Sequence, residues 1–127
     1  MMRLLLSVPS GVVVDARASK VSGESDRGSF TMLPRHADGA LLLRPGLLSY
    51  VGRGGDEVFV VVDEGVLVKA GREVRAACRQ AVVAGDLEDA LVALARHLRE
   101  QSEQERRSRS ALLALEAEVL RRMGDVR

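Results

Sequence analysis

All three prolines and eleven of the twelve glycines in this chain of 127 residues lie before residue 86. Between Asp86 and Met123 there is neither. Glycine supplies backbone conformations that other residues avoid, and proline removes a backbone donor, so together they mark where a chain turns. The first stretch is therefore built to turn often, and the second to run on without interruption. The chain reads as two parts, 1–85 and 86–127.

Within 1–85, short runs rich in branched residues recur at the spacing of about 8–12 residues seen in sandwiches and barrels. They are RLLLSV, VVVDARASKV, SFTML, ALLLR, LLSYVGR, EVFVVVDEG, VLVKAG, EVRAACR and AVVAG. Turn signals separate them: Pro9-Ser10-Gly11, Arg44-Pro45-Gly46, Gly54-Gly55-Asp56, Glu64-Gly65 and Ala70-Gly71-Arg72. No helical run alternates with these strands, so a parallel α/β sheet is not expected and an antiparallel β-sandwich is. With two Phe, one Tyr and no Trp, its core must be aliphatic.

From Asp86 onward the pattern is helical. Asp86 suits the cap position, and Asp89 places negative charge in the first turn. Leu87, Leu91, Leu94 and Leu98 form an apolar stripe that stops at REQSEQERRSRS, residues 99–110, and resumes with Leu112, Leu115, Val119 and Met123. Two forms fit. One is a single helix of roughly 38 residues, about 57 Å long. The other is a hairpin turning in the polar stretch, with Ser102-Glu103-Gln104-Glu105 as a capping box for a second helix. In the hairpin, His97 sits near the end of the first helix, facing the negative end of its dipole. Glu103–Arg107 and Glu105–Arg109 have the spacing of helical ion pairs. A segment with both forms open can switch between them if they differ by a few kcal/mol.

Net charge is +1, so no overall field favours nucleic acid or an anionic membrane. The scarcity of aromatic rings also argues against single-stranded nucleic acid, which is bound by stacking. The apolar run in MMRLLLSV is too short for a signal or a spanning helix and reads as a first strand, which implies a cytoplasmic chain. Cys78 is the single cysteine, excluding an internal disulfide and suiting a reducing compartment. His36 and His97 lie 61 positions apart, in parts of different architecture. The chain has no HxxxH, CxxC, GxSxG or GxxxxGK[ST] pattern. Cys78 reads as a small core residue and Asp63-Glu64 as turn residues. No catalytic, metal or cofactor residue is expected. Arg106, Arg107 and Arg109 in ERRSRS form either a solvated face or a clamp for a phosphate or an acidic helix. The clamp would suit a free-standing regulatory module that senses an anion or nucleotide.

One segment is more distinctive: GSFTMLPRHADGALLLRPG, Gly28 to Gly46. Its Gly28, Met32-Leu33-Pro34, His36-Ala37, Leu41-Leu42 and Pro45-Gly46 resemble the epsilon subunit of F-type ATP synthases. VVVDEGVLVKAGREV, with Gly65 at the characteristic glycine, resembles that family's next hairpin. The resemblance implies a non-catalytic subunit of the central rotor stalk in a proton- or sodium-translocating machine. Its sandwich, 1–85, would bind the gamma subunit and rest on the c-ring through Ser29, Met32, Pro34, His36, Leu41 and Leu42. Its helical tail, 86–127, would switch between folded and extended forms. The extended form would reach the alpha and beta subunits and inhibit ATP hydrolysis, with Leu91, Leu94, Leu98, Arg106, Arg107 and Arg109 as contacts. The protein would sit peripherally on the cytoplasmic face of a bacterial inner membrane, without entering it.

The chain departs from that family in places. Ser29 stands where relatives carry an acidic residue, Thr31 and Arg35 where glycine is frequent, and Asp38-Gly39 where a pair containing proline is common. The isoleucine-aspartate-x-x-arginine-alanine motif that binds ATP in some relatives is missing from DLEDALVALARHL. The tail SEQERRSRSALLALEAEVLRRM resembles a divergent group of F-type enzymes, some thought to pump sodium.

Overall fold

A side-chain alternation of period two turns the first 85 residues into sheet. In β1 (Met2–Val8), Met2, Leu4 and Leu6 are fully buried while Arg3 is exposed. In the computed structural model, which describes residues 1–124, nine more strands follow. They are β2 (Gly11–Ala18), β3 (Lys20–Ser25), β4 (Gly28–Met32), β5 (Gly39–Leu43), β6 (Gly46–Val51), β7 (Glu57–Val62), β8 (Gly65–Ala70), β9 (Glu73–Cys78) and β10 (Ala81–Gly85). The sheet order is β10-β7-β6-β3-β5-β8-β9-β1-β2, with β4 paired to β3. Its two ends, β10 and β2, approach each other, so the sheet curls on itself into a closed sandwich.

Two features differ from the strand pattern read in the sequence. The run VVVDARASKV is two strands, not one. The chain leaves β1 after Ala18 and joins β6 at Lys20, with the Ser19 N–H donating to the Val51 carbonyl at 2.9 Å across the corner. In addition, β1 pairs with β9 in parallel, with Leu4 opposite Val74, within a ladder that is otherwise antiparallel. That pair brings the first strand against the ninth, so it closes the fold through distant segments of chain.

The core is aliphatic, as composition requires: Met2, Leu4, Leu6, Val21, Leu48, Val60, Leu67 and Val74 are its largest fully buried side chains. Each such burial contributes about 1.5–3 kcal/mol. Phe30 and Tyr50 pack against its margin, partly buried. Cys78 closes β9 as a buried core residue. Backbone runs very close to Gly65: a Cβ there would overlap the Ala77 carbonyl oxygen and lie 2.9 Å from Cys78 Cα. This explains why the β7–β8 turn needs glycine.

Gly85, at φ 83°, ends β10 in a conformation that favours glycine, and Asp86 starts the helix. Its Oδ1 accepts the Asp89 N–H at 2.8 Å, satisfying one of the first-turn donors. The tail α1 (Leu87–Gly124) is one continuous helix of 38 residues. Of the two forms compatible with its stripe, this structure adopts the uninterrupted one. The capping box at Ser102 therefore starts no second helix, and His97 lies inside α1 rather than at a terminus. Glu88 and Asp89 sit in its first turn and Arg121 and Arg122 in its last, each favourable to the helix dipole. The spaced pairs Glu103–Arg107 and Glu105–Arg109 do not close, whereas Arg122 and Glu118 do, at 3.0 Å. Long exposed side chains gain little from such closure. The described chain forms two compact units: Met1–Leu94, with the sheet and the first turns of α1, and a second that begins at Ala95.

Candidate functional site

The segment singled out in the sequence forms β4, the following loop, and β5. Pro34 cannot donate to a ladder, so pairing stops at Met32. The His36 N–H then donates to the Leu33 carbonyl at 2.9 Å, closing a tight turn. Beneath this turn lies Lys69. In β8, the alternation that buries Leu67 also points Lys69 inward, leaving it 2% exposed. Its Nζ donates to the His36 carbonyl at 2.6 Å and to the Gly71 carbonyl at 2.7 Å. The Asp38 carboxylate lies 3.8 Å from the ammonium and accepts the Gly71 N–H at 2.8 Å. A buried charge is tolerated when it is surrounded by acceptors in this way. The effect is to fasten the loop 33–38 to the β8–β9 turn, with the His36 carbonyl turned inward. Leu33, Arg35 and His36 face outward, Leu33 at 52% exposure.

A second set of bonds fixes the other side of the segment. Buried Ser25 donates through Oγ to the Gly28 carbonyl at 2.9 Å and accepts the Arg27 N–H at 3.2 Å, which shapes the β3–β4 turn. The Asp26 N–H donates to the Leu42 carbonyl and the Arg44 N–H to the Glu24 carbonyl, joining that turn to β5. Ser29 Oγ donates to Glu24 Oε1 at 2.7 Å. A carboxylate thus stands beside Ser29, carried on the neighbouring strand.

Of the residues expected to dock, Ser29, His36 and Leu42 are exposed, Pro34 and Leu41 half-buried, and Met32 is 3% exposed, in the core. The side chain of Met32 faces inward and supports the segment from below. Leu42 lies opposite Val66 across β5 and β8, and both are exposed, giving the sheet an apolar outer patch. On α1, Leu91 and Leu98 are exposed and Leu94 is half-buried; Arg106, Arg107 and Arg109 are exposed. Sequence reading missed Lys69, Asp38, Ser25 and Glu24. Only Lys69 left a signal, a lysine at an inward position of an alternating strand.

The displaced titratable groups are shifted by burial or by an exposed ion pair. Burial, and secondarily the charge of Asp63, push the Cys78 thiol up, so it stays protonated and unreactive at neutral pH. The Arg3 guanidinium holds the Asp15 carboxyl below its usual range by hydrogen bonding, in an exposed pair at 3.0 Å. Among the described residues, no group of three or more His, Cys, Asp or Glu could hold a metal ion. No described helix is long and apolar enough to cross a membrane. What the segment presents is a shaped surface held from below.

The family described as "ATP synthase, Delta/Epsilon chain, beta-sandwich domain" matches residues 1–84. The chain belongs to this ATP synthase family. The chain is 40% identical over 95 residues to the ATP synthase epsilon chain 2 of Paraburkholderia xenovorans (strain LB400). That match covers 73% of this chain and 66% of the relative, just under two thirds of the relative's length. The ATP synthase epsilon chain of Sulfurovum sp. (strain NBC37-1) is 30% identical over 119 residues, covering 94% of this chain and 91% of that one. Among solved structures, a chain of the Euglena gracilis mitochondrial ATP synthase (OSCP/F1/c-ring) superposes with a TM-score of 0.62 at 21% identity. It covers 78% of this chain and 62% of that one. A chain of the Tetrahymena thermophila mitochondrial ATP synthase (central stalk/c-ring) gives 0.52 at 13% identity, covering 64% and 65%. At those identities the likeness is one of fold. The family match and the curated relatives make this an epsilon-type chain of ATP synthase.

Proposed function

We propose that the chain is a non-catalytic subunit of the central rotor stalk of an F-type ATP synthase. Residues 1–85 serve as its docking module and residues 86–127 as a regulatory tail. The sandwich binds the gamma subunit and rests on the c-ring, with Ser29, Pro34, His36 and Leu42 at or beside the contact. The protein is peripheral, held at the cytoplasmic face of a bacterial inner membrane by its partners. The observation that carries the reading is the family match over residues 1–84. The outward-facing loop pinned by Lys69 supports it, because a docking loop held in one shape loses little entropy on binding. The tail bears exposed Leu91, Leu98, Leu112 and Leu115, apolar side chains suited to packing along other helices. In its extended form it reaches the alpha and beta subunits and slows ATP hydrolysis.

The test is co-purification of the tagged full chain from its native membranes, followed by mass spectrometry. Recovery of alpha, beta, gamma and c subunits in complex proportions is expected. Recovery of the chain alone would overturn the reading. For the tail, deletion of residues 95–127 is expected to raise ATP hydrolysis by those membranes several-fold; unchanged hydrolysis would refute the inhibitory role.

A further inference from the structure

Side chains on one face of the sheet leave a groove of about 270 Å³ above β3, β4, β6 and β7. The ladder registers define it. Thr31 lies opposite Ser22, Ser22 opposite Ser49, and Ser49 opposite Phe59, so these four form one row across four strands. Period-two alternation places the row on the face opposite Val21, Leu48 and Val60, which point into the core; Thr31 is exposed, Ser22 and Phe59 are half-buried, and Ser49 is buried at the floor of the groove. The row has an apolar end, Phe59 with Leu47 next to it, and a hydroxyl end, where Ser22 Oγ and Thr31 Oγ1 lie 3.3 Å apart. Two residues along from Ser22 on the same face stands Glu24, its carboxylate fixed by Ser29 Oγ at 2.7 Å. Among the described residues no cation pairs with Glu24, as none does with Asp26, Asp56, Glu57 or Asp63, whereas Asp15, Asp38, Glu64 and Glu73 each have one; Glu24 is the one of the unpaired set that lines the groove.

We propose that this groove is a socket for a lysine side chain presented by a protein partner. The chemistry selects that occupant. An ammonium carries three donors and no acceptor. Here it meets a carboxylate that is already oriented and two hydroxyl oxygens able to accept. A lysine also has a four-carbon stem that covers apolar surface while its head remains polar, and Leu47 and Phe59 supply such a surface at the other end of the row. An anion would meet Glu24 with like charge, and an apolar side chain would cover the carboxylate without neutralising it. Ser29 holds Glu24 in place, which lowers the entropy lost when the ion pair forms. The inference rests on the stalk reading above, since it needs a partner subunit in contact with this face.

The test uses the full chain within the complex isolated from membranes. A carbodiimide couples a carboxylate to an amine only when the two touch, and mass spectrometry then identifies the joined peptides. The expected product links Glu24 to a lysine of another subunit. It disappears in Glu24→Gln and persists in Asp26→Asn, a neighbouring carboxylate outside the row. Glu24→Lys, which places like charge in the socket, is expected to weaken retention of the chain by the complex about tenfold, with its own thermal unfolding unchanged. Absence of a Glu24 link while the other subunits are recovered would overturn the socket and leave the stalk reading intact. A link only to Lys20 or Lys69 of the same chain would overturn it equally, as would unchanged retention of Glu24→Lys. If the unmodified chain recovers no other subunit, the stalk reading fails and the socket with it.

Discussion

Replacing Lys69 with methionine isolates the charge that holds the candidate docking loop. Methionine preserves most of the buried stem, so Lys69→Met removes the ammonium and little packing volume. What is lost is two short hydrogen bonds from a cation, to the carbonyls of His36 and Gly71 at 2.6 and 2.7 Å, and the proximity of Asp38. Hydrogen bonds to charged groups contribute about 1.5–3 kcal/mol each when their partners stay dry. His36 and Gly71 are exposed residues, so water can replace part of the loss. Removing an ammonium that was costly to bury also returns some free energy. A net destabilisation of about 2 kcal/mol follows, equivalent to a fall in Tm of roughly 10 °C for a domain of this size. The local signature is sharper. Amide exchange at His36 and Gly71, which donate to Leu33 and Asp38, should accelerate strongly, while the β1 and β9 amides change only with global stability. Circular-dichroism melting and hydrogen exchange measure the two effects. If Tm stays within about 2 °C of the native chain and exchange at both amides is unchanged, Lys69 does not hold the loop.

Gly65→Ala drives a methyl group into the Ala77 carbonyl, and backbone cannot yield there as a side chain would. A loss of more than about 3 kcal/mol is expected, seen as poor yield of folded protein, with Val66→Ala on the exposed face as the tolerated control. Cys78 is expected to react with a thiol reagent far more slowly in the native chain than in denaturant. Because its folded pKa is raised, the stability linked to it is complete below the unfolded thiol pKa and is lost as pH rises through the folded value. Alkaline urea titrations should therefore show a fall in stability that Cys78→Ala lacks, and identical alkaline profiles would disprove the linkage. Ser102→Pro interrupts the middle of α1 at a cost of about 3 kcal/mol. The helical signal should drop by a large part of the tail, whereas a hairpin turning at that position would keep it.

Several parts of this molecule were legible in the chain itself. The loss of glycine and proline after residue 85 marks where sheet gives way to helix, because backbone punctuation acts locally. Alternation in VLVKAG shows which side chains face inward, and the cap at Asp86 follows from residue type at a helix start. Gly28, Met32-Leu33-Pro34, His36-Ala37, Leu41-Leu42 and Pro45-Gly46 were enough to indicate the family that the match over residues 1–84 then established. The stripe on the tail could not choose between hairpin and single helix, since the same spacing serves a face packed on itself or left open.

Tertiary structure decided what depends on distant segments meeting. Nothing near Lys69 in the sequence points to His36, yet the two are bonded across 33 positions. The parallel pairing of β1 with β9 is of the same kind, as is the break at Ser19 that sends one apolar run to two different neighbours. Glu24 and Ser29 come together because β3 and β4 pair in one register and not another. Local sequence sets the period and the buried face of a segment. Which segment lies opposite is set by packing over the whole domain, and the loop over Lys69 and the groove both arise from that choice.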